Sequence, residues 1–343
     1  MADPIRVGAL GLSHDHVWDN LRSLAESGLG QLVAAADPRL ELQDKVRAFG
    51  CERIFDSPHQ LLEQEDLDAV YVYSDNREST ELALEAARRG LHVMVEKPMA
   101  VDLAGAISMR DAARDAGVQL MVNWPIAWWP QLQRALRMAG EGCIGRIFQV
   151  NYRAAHAGPR EVGCSDAFAE WLLDQARNGG GALTDYCSYG AALVCHLLGL
   201  PSRVTAVSGR LERTDTPAED NAVLIMENEG AISTATASWT QVGHLTSYLP
   251  MIYGTEGTLV VQGDELRLAS REYPDGIQIE ATEADPELRS SATLFLHHVR
   301  RGEPITGLCG PEVGLAAQEV LEAGLRAART RQSIQLPLVS NSR

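Results

Sequence analysis

The first 123 residues alternate between short apolar strand-like runs and helical stretches, and that alternation limits the fold more than any other feature of the chain. Runs at Ile5 to Leu12, Gln31 to Ala36, Ala69 to Tyr73, His92 to Val95 and Val118 to Val122 are separated by helical stretches at Val17 to Ser27, Arg39 to Phe49, Ser79 to Arg89 and Leu103 to Ala116. Strands this apolar need cover on both faces. The expectation is a parallel sheet joined by right-handed helical crossovers.

From Trp124 the texture changes. A helix around Gln131 to Met138, a strand at Ile147 to Arg153 and helices near Asp166 to Arg177 and Ala182 to Leu198 lead into consecutive strands between Arg203 and Ala269. The last of the pattern is helical, at Glu287 to Arg300 and Pro311 to Thr330. Short turns such as Glu227 to Gly230 imply antiparallel pairing. The fold class is therefore α/β: an N-terminal doubly wound, parallel-sheet domain over residues 1–123 and a C-terminal α+β domain over 124–343. A chain of 343 residues, 45% apolar, has enough core for two domains.

The net charge of −16, with no Lys/Arg cluster, argues against a nucleic-acid partner. No apolar run approaches a bilayer span, and Met1-Ala-Asp-Pro-Ile-Arg6 leads into a strand without a signal-peptide pattern, so the expectation is no membrane contact and a cytoplasmic location. The six cysteines form no CxxC pair, which indicates neither a zinc site nor a disulfide framework.

The first strand ends in Val7-Gly-Ala-Leu-Gly-Leu-Ser-His-Asp-His16 and runs into a helix. A Rossmann turn uses three glycines to turn tightly, approach a pyrophosphate and pack helix on strand. Gly11 fills the first position after Gly8 on the strand, whereas Ser13 and His16 replace the second and third, with His14 between them. Strand two ends in Ala34-Ala-Ala-Asp37, and an acidic residue at this spacing holds the adenosine ribose, favouring NAD; Arg39 leaves NADP open. Leu91-His-Val-Met-Val-Glu-Lys-Pro98 then delivers Glu96 and Lys97 beside that crevice, making Lys97 a candidate catalytic lysine. Asp185 and Tyr189, four residues apart in the helix after Gly179-Gly-Gly, share one helical face.

Taken in order, the Val-Gly-x-x-Gly strand, Ala36-Asp-Pro38, Glu96-Lys-Pro-Met-Ala100, Ile144-Gly-Arg-Ile147 and Gly180-Gly-Ala-Leu-Thr-Asp185 resemble the Gfo/Idh/MocA family of nicotinamide-dependent oxidoreductases over nearly the whole chain. The resemblance implies a C-terminal domain with an open, mostly antiparallel sheet and a substrate cleft where Lys97, Asp185 and Tyr189 converge. It also implies that Ser74 and Asn76 lie along the cofactor, with Asp75 replacing the family's proline, and that Trp128 stacks near the nicotinamide. Packing is the alternative for Trp124, Trp128 and Trp129. The tyrosine at 189 places the chain with the branch of glucose-fructose oxidoreductase and dihydrodiol dehydrogenase rather than with the histidine branch.

Oxidising a secondary alcohol requires removal of the hydroxyl proton as hydride leaves for the nicotinamide. A tyrosine serves as base near neutral pH only where a cation favours its phenolate, and Lys97 is the expected cation. Asp185 would orient Lys97, bind a second hydroxyl, or simply cap the helix. His156 is a candidate substrate contact and His244 a weaker one. His14 and His16 form an H-x-H pair without a third ligand nearby in sequence, so no metal site is expected. The resulting expectation is an NAD(P)-dependent oxidoreductase acting on a sugar, cyclitol or related polyol. The alternatives are a glycosidase that uses bound NAD for transient oxidation and elimination, and a non-catalytic ligand sensor. An open sheet needs cover, which implies a homodimer or homotetramer through the C-terminal domain.

Overall fold

The computed structural model describes residues 3–281 and 286–338; Met1 and Ala2, on which part of the N-terminal reading rests, lie outside them. Strands β1 (Ile5–Leu10), β2 (Gly30–Ala36), β3 (Arg53–Phe55), β4 (Ala69–Val72), β5 (His92–Glu96) and β6 (Leu120–Asn123) form a parallel sheet in the order 3-2-1-4-5-6. The connecting helices are α1 (Val17–Ser27), α2 (Leu40–Arg47), α3 (Pro58–Gln64), α4 (Asn76–Arg88) and α5 (Leu103–Ala116). All of β4 and β6 is buried, as two covered faces demand. The winding reverses between β1 and β4, which opens a crevice at their C-terminal ends. The short β3 and α3 fall in a stretch whose sequence has no clear period, and pairing with β2 alone organises the strand.

The second sheet has nine strands: β7 (Ile147–Ala155), β8 (Arg203–Gly209), β9 (Asn221–Asn228), β10 (Ala231–Ser238), β11 (Tyr248–Gly254), β12 (Gly257–Gln262), β13 (Glu265–Ser270), β14 (Ile277–Ile279) and β15 (Ile334–Gln335), in the order 14-13-12-11-7-10-9-8-15. Every pairing is antiparallel except β7 with β10. The β9–β10 hairpin closes where the Glu227-to-Gly230 turn predicts. β11 does not follow β10 in space; β7 lies between them, and residues 239–247 cross over it.

Helices α6 (Pro130–Gly140), α7 (Asp166–Leu172), α8 (Gln175–Asn178), α9 (Ala182–Leu198), α10 (Ser291–Arg301) and α11 (Pro311–Thr330) complete the chain. The expected helix near Asp166 to Arg177 is two, because the Asp174 carboxylate accepts the Ala176 and Arg177 N–H groups and starts a new turn. α9 lies on the inner face of the sheet, and its approach requires Gly190, where a Cβ would meet the Ala235 Cβ at 2.5 Å. The outer face carries Val207, Val223, Ile225 and Ile232, all exposed. α10 crosses back to the first sheet, packing Phe295 on Tyr71 at 5.9 Å. No helix among the described residues is long and apolar enough to cross a membrane.

The Tyr71, Tyr73 and Tyr152 rings are fully buried, and burial pushes each phenol far above the usual tyrosine range. A raised folded-state pKa means that the unfolded chain releases these protons first. Stability is therefore complete below about pH 10 and falls as pH rises beyond it. Chemical denaturation at pH 8 and pH 11 should give a markedly lower midpoint at the higher pH, and Tyr71→Phe with Tyr73→Phe should shrink that difference. An equal alkaline loss in the double variant would assign it to other groups.

Candidate active site

The glycine turn after β1 packs directly on the end of β4. Gly11 has φ +75°, and a Cβ there would meet Ser74 Oγ at 2.0 Å, so only glycine fits. Asp37, at the end of β2, is buried and accepts the Leu12 N–H at 2.9 Å and the Arg39 N–H at 2.9 Å. Each carboxylate oxygen keeps a second lone pair for a ribose hydroxyl. The His14 N–H is directed to the Tyr73 carbonyl at 2.9 Å, and the Trp171 indole N–H to the Ser13 carbonyl at 3.3 Å.

Residues 165–178 roof this crevice. The Asp15 carboxylate accepts the Ser165 hydroxyl at 2.6 Å and its N–H at 2.7 Å, while Phe168 and Trp171 pack on His14. Arg177 pairs with Asp75 at 2.8 Å, and Asn76 donates to the Asn178 carbonyl and side chain at 3.0 and 2.8 Å. Ser13, His14, Ser74 and Asn76, expected along the cofactor, are consequently buried under α7 and α8. Gly8 lies inside β1 with Leu61 and Leu67 against its Cα.

β5 delivers Lys97 into the gap between the two sheets, where it is 3% exposed. Its Nζ meets Asp185 Oδ1 at 2.5 Å, and the other carboxylate oxygen accepts the Trp239 indole N–H at 3.0 Å. Asp185 is not the cap of α9. Glu219 takes that role, its Oε1 accepting the Gly181 and Leu183 N–H groups at 2.8 and 3.2 Å. One turn on, the Tyr189 ring centroid is 4.9 Å from Lys97 Nζ.

The expectation that Lys97 depresses the Tyr189 phenol does not hold. Burial pushes that phenol well above the usual tyrosine range, with Tyr248, Asp185 and Glu96 adding to the effect. The ammonium faces the ring rather than the hydroxyl, and Asp185 offsets its charge. Tyr189 is thus a neutral hydrogen-bond donor. His156 is buried; its Nδ1 accepts the Gly158 N–H at 2.9 Å, and burial lowers its pKa, so the neutral ring carries its proton on Nε2.

Glu96 bridges His16 Nδ1 at 3.0 Å and Asn123 Nδ2 at 2.7 Å. The structure therefore supplies a third group beside the H-x-H pair: His14, His16 and Glu96 each offer an atom within 4.8 Å of the others. The His16 N–H points at His14 Nδ1 at 3.3 Å, and burial lowers the His14 pKa, leaving its proton on Nε2. His14 Nδ1 is thus engaged by the His16 backbone N–H, and His16 Nδ1 by Glu96 Oε1. Trp128 gives its indole N–H to Asn123 Oδ1 at 2.9 Å and lines an apolar cavity of about 270 Å³ with Leu132, Leu136 and Leu308.

Sequence reasoning missed Trp239, Asn123, Tyr186 and Tyr248. Asn123 was readable in principle, since parallel pairing sets it beside Glu96. Trp239, at the end of β10, carries no sequence signal linking it to position 185. Tyr186 and Tyr248 share a hydrogen bond between hydroxyls, 2.7 Å apart, next to Lys97 and His156.

A dinucleotide-type crevice beside a buried lysine, carboxylate and neutral phenol defines a nicotinamide-dependent oxidoreductase. Two unpartnered buried atoms among the described residues fit a polar ligand there: the Tyr73 hydroxyl near Glu96, and Trp124 Nε1, whose ring is 6.1 Å from that of Tyr189. Residues 5–124 match the oxidoreductase family with NAD-binding Rossmann fold, GFO/IDH/MocA, and residues 132–260 match the GFO/IDH/MocA C-terminal domain. The chain belongs to the Gfo/Idh/MocA family and is an NAD-dependent oxidoreductase.

Among similar proteins, D-apiose dehydrogenase of Paraburkholderia graminis is 28% identical over 291 residues, 83% of this chain and 72% of that protein. The scyllo-inositol 2-dehydrogenase (NAD+) of Bacillus subtilis is 25% identical over 272 residues, 76% of this chain and 75% of that protein. The WlbA dehydrogenase from Bordetella pertussis, solved with NADH and UDP-GlcNAcA, superposes with a TM-score of 0.80 at 26% identity, covering 98% of this chain and 100% of that one.

The Trp239 contact yields a prediction. Trp239→Phe removes the donor to Asp185 Oδ2 and leaves a buried acceptor unpaired, a loss of about 1–3 kcal/mol. Turnover should fall by about tenfold with NADH affinity, read by fluorescence titration, unchanged. Full turnover would mean that Lys97 alone holds Asp185.

Proposed function

We propose that this enzyme transfers hydride between the nicotinamide and a secondary alcohol or ketone of a sugar, cyclitol or related polyol. The observation that carries the reading is the buried Lys97–Asp185 pair beside Tyr189. The substrates named for the apiose and inositol dehydrogenases support the polyol class, and their dehydrogenase chemistry favours it over a glycosidase or a sensor.

When bound, the nicotinamide exchanges the hydride. Lys97 holds the reacting oxygen, Asp185 fixes Lys97, and His156 offers its Nε2–H to a neighbouring hydroxyl. In the reductive direction Tyr189 hands its phenolic proton to the carbonyl oxygen as Lys97 stabilises the negative charge forming there. Oxidation uses the same positions with the phenolate as acceptor. For the cofactor, Gly11, Ser13 and His14 form the pyrophosphate turn, with Gly8 on the strand that leads into it. Asp37 holds the adenosine ribose, favouring NAD with NADP as the lesser choice, and Ser74, Asn76, Glu96, Lys97 and Trp128 border the remainder.

The functional division lies between residues 1–123 and 124–343. The exposed Val207, Val223, Ile225 and Ile232 make the C-terminal sheet the face of a homodimer or homotetramer. Four buried cysteines, all six thiols being free, suit a cytoplasmic location.

A neutral phenol gives the test its sign. Ketone reduction should be level through neutral pH and fall only above about pH 10, whereas oxidation should climb toward that limb. Tyr189→Phe should fold normally, lower turnover by about 10²- to 10⁴-fold and erase both limbs. Unchanged turnover in Tyr189→Phe would hand the proton step to another group.

A further inference from the structure

A second cavity, of about 810 Å³, is walled by Trp129, Gln131, His244, Tyr248, Gln262 and Asp264. Its size is that of a small-molecule site. Tyr248 is the shared wall: its hydroxyl meets that of Tyr186, whose ring stands 5.9 Å from Lys97 Nζ and 6.0 Å from the Tyr189 ring. A single layer of two tyrosines therefore separates this cleft from the groups that handle the reacting oxygen. Tyr186 belongs to α9 and Tyr248 to the start of β11, and the layer they form is joined by side-chain contacts, the hydrogen bond between their hydroxyls and an edge-to-face ring contact at 5.8 Å.

The lining states what the cleft accepts. Trp129 packs edge-to-face on Tyr248 at 6.0 Å, presenting aromatic surface to the C–H face of a ring. Two amides, an imidazole and the Asp264 carboxylate supply donors and acceptors for hydroxyl groups. The lining contains no lysine or arginine and does contain a carboxylate, which disfavours a phosphate or a nucleotide diphosphate. A neutral, polyhydroxylated ring satisfies all three conditions.

We propose that the substrate is a glycoside of at least two rings: the ring that exchanges hydride sits at Lys97 and Tyr189, and a second glycosyl unit occupies the cleft beyond Tyr248. This rests on the polyol reading above and narrows it to one class.

The test uses the NAD-loaded enzyme with maltose, cellobiose, trehalose and sucrose against glucose and fructose, following NADH formation and, independently, calorimetric binding. At least one disaccharide should exceed the monosaccharides by about tenfold in kcat/KM and in affinity, as one aromatic contact plus hydrogen bonds would give. Trp129→Ala should erase that gap while leaving the monosaccharide values within about twofold. Asp264→Ala, at an exposed position, should narrow it as a second check on folding. Monosaccharides and disaccharides that bind and react alike would overturn the second subsite, as would Trp129→Ala lowering both equally or no disaccharide binding at all. Trp129-dependent disaccharide binding without NADH from any sugar would instead support the cleft and reject the hydride-transfer reading.

Discussion

An ammonium and a carboxylate from residues 88 positions apart, each side chain 4% exposed, meet at 2.5 Å between the two sheets, and the rest of the site is arranged around that contact. Two charges removed from water repel the fold unless each is paired and hydrogen-bonded. Here β5 brings the lysine, α9 brings Asp185 in its first turn, and β10 ends on the Trp239 donor that completes the carboxylate. The same helical turn then sets Tyr189 against the ammonium, and Gly190 lets α9 lie close enough to β10 to hold it there. Orientation of the chemistry thus follows from closing an ion pair.

The crevice beside it is covered by a segment that combines short polar ties with the packing of Phe168 and Trp171 on His14. Asp15 on Ser165, Asp75 on Arg177 and Asn76 on Asn178 fasten one segment over the glycine turn. The Ser291 hydroxyl on Asn20, with Phe295 on Tyr71, binds α10 to the first sheet from the opposite side, so the parallel sheet is enclosed by elements from both ends of the chain.

How far this was legible follows from the range of each interaction. The parallel sheet was readable because buried strands and amphipathic helices leave local periods, and Asp185 with Tyr189 because a four-residue spacing is itself geometry. β3 was too short to leave a period. The insertion of β7 between β10 and β11 was not readable, since a parallel partner some eighty residues away leaves no trace in either strand. The protonation of Tyr189 was read with the wrong sign: the sequence implies a neighbouring cation, but only the structure shows that the ammonium meets the ring face and that Asp185 shares its charge.

If the buried pair organises the site, breaking it from one side should be worse than removing it. Lys97→Met and Asp185→Leu each strand one buried charge, and urea denaturation should show a loss of about 3–5 kcal/mol for either variant. The double variant, with two apolar side chains in contact, should recover much of that loss and be more stable than either single one. Single losses under about 1 kcal/mol, or losses that simply add in the double variant, would contradict the account by showing that the two residues do not depend on each other.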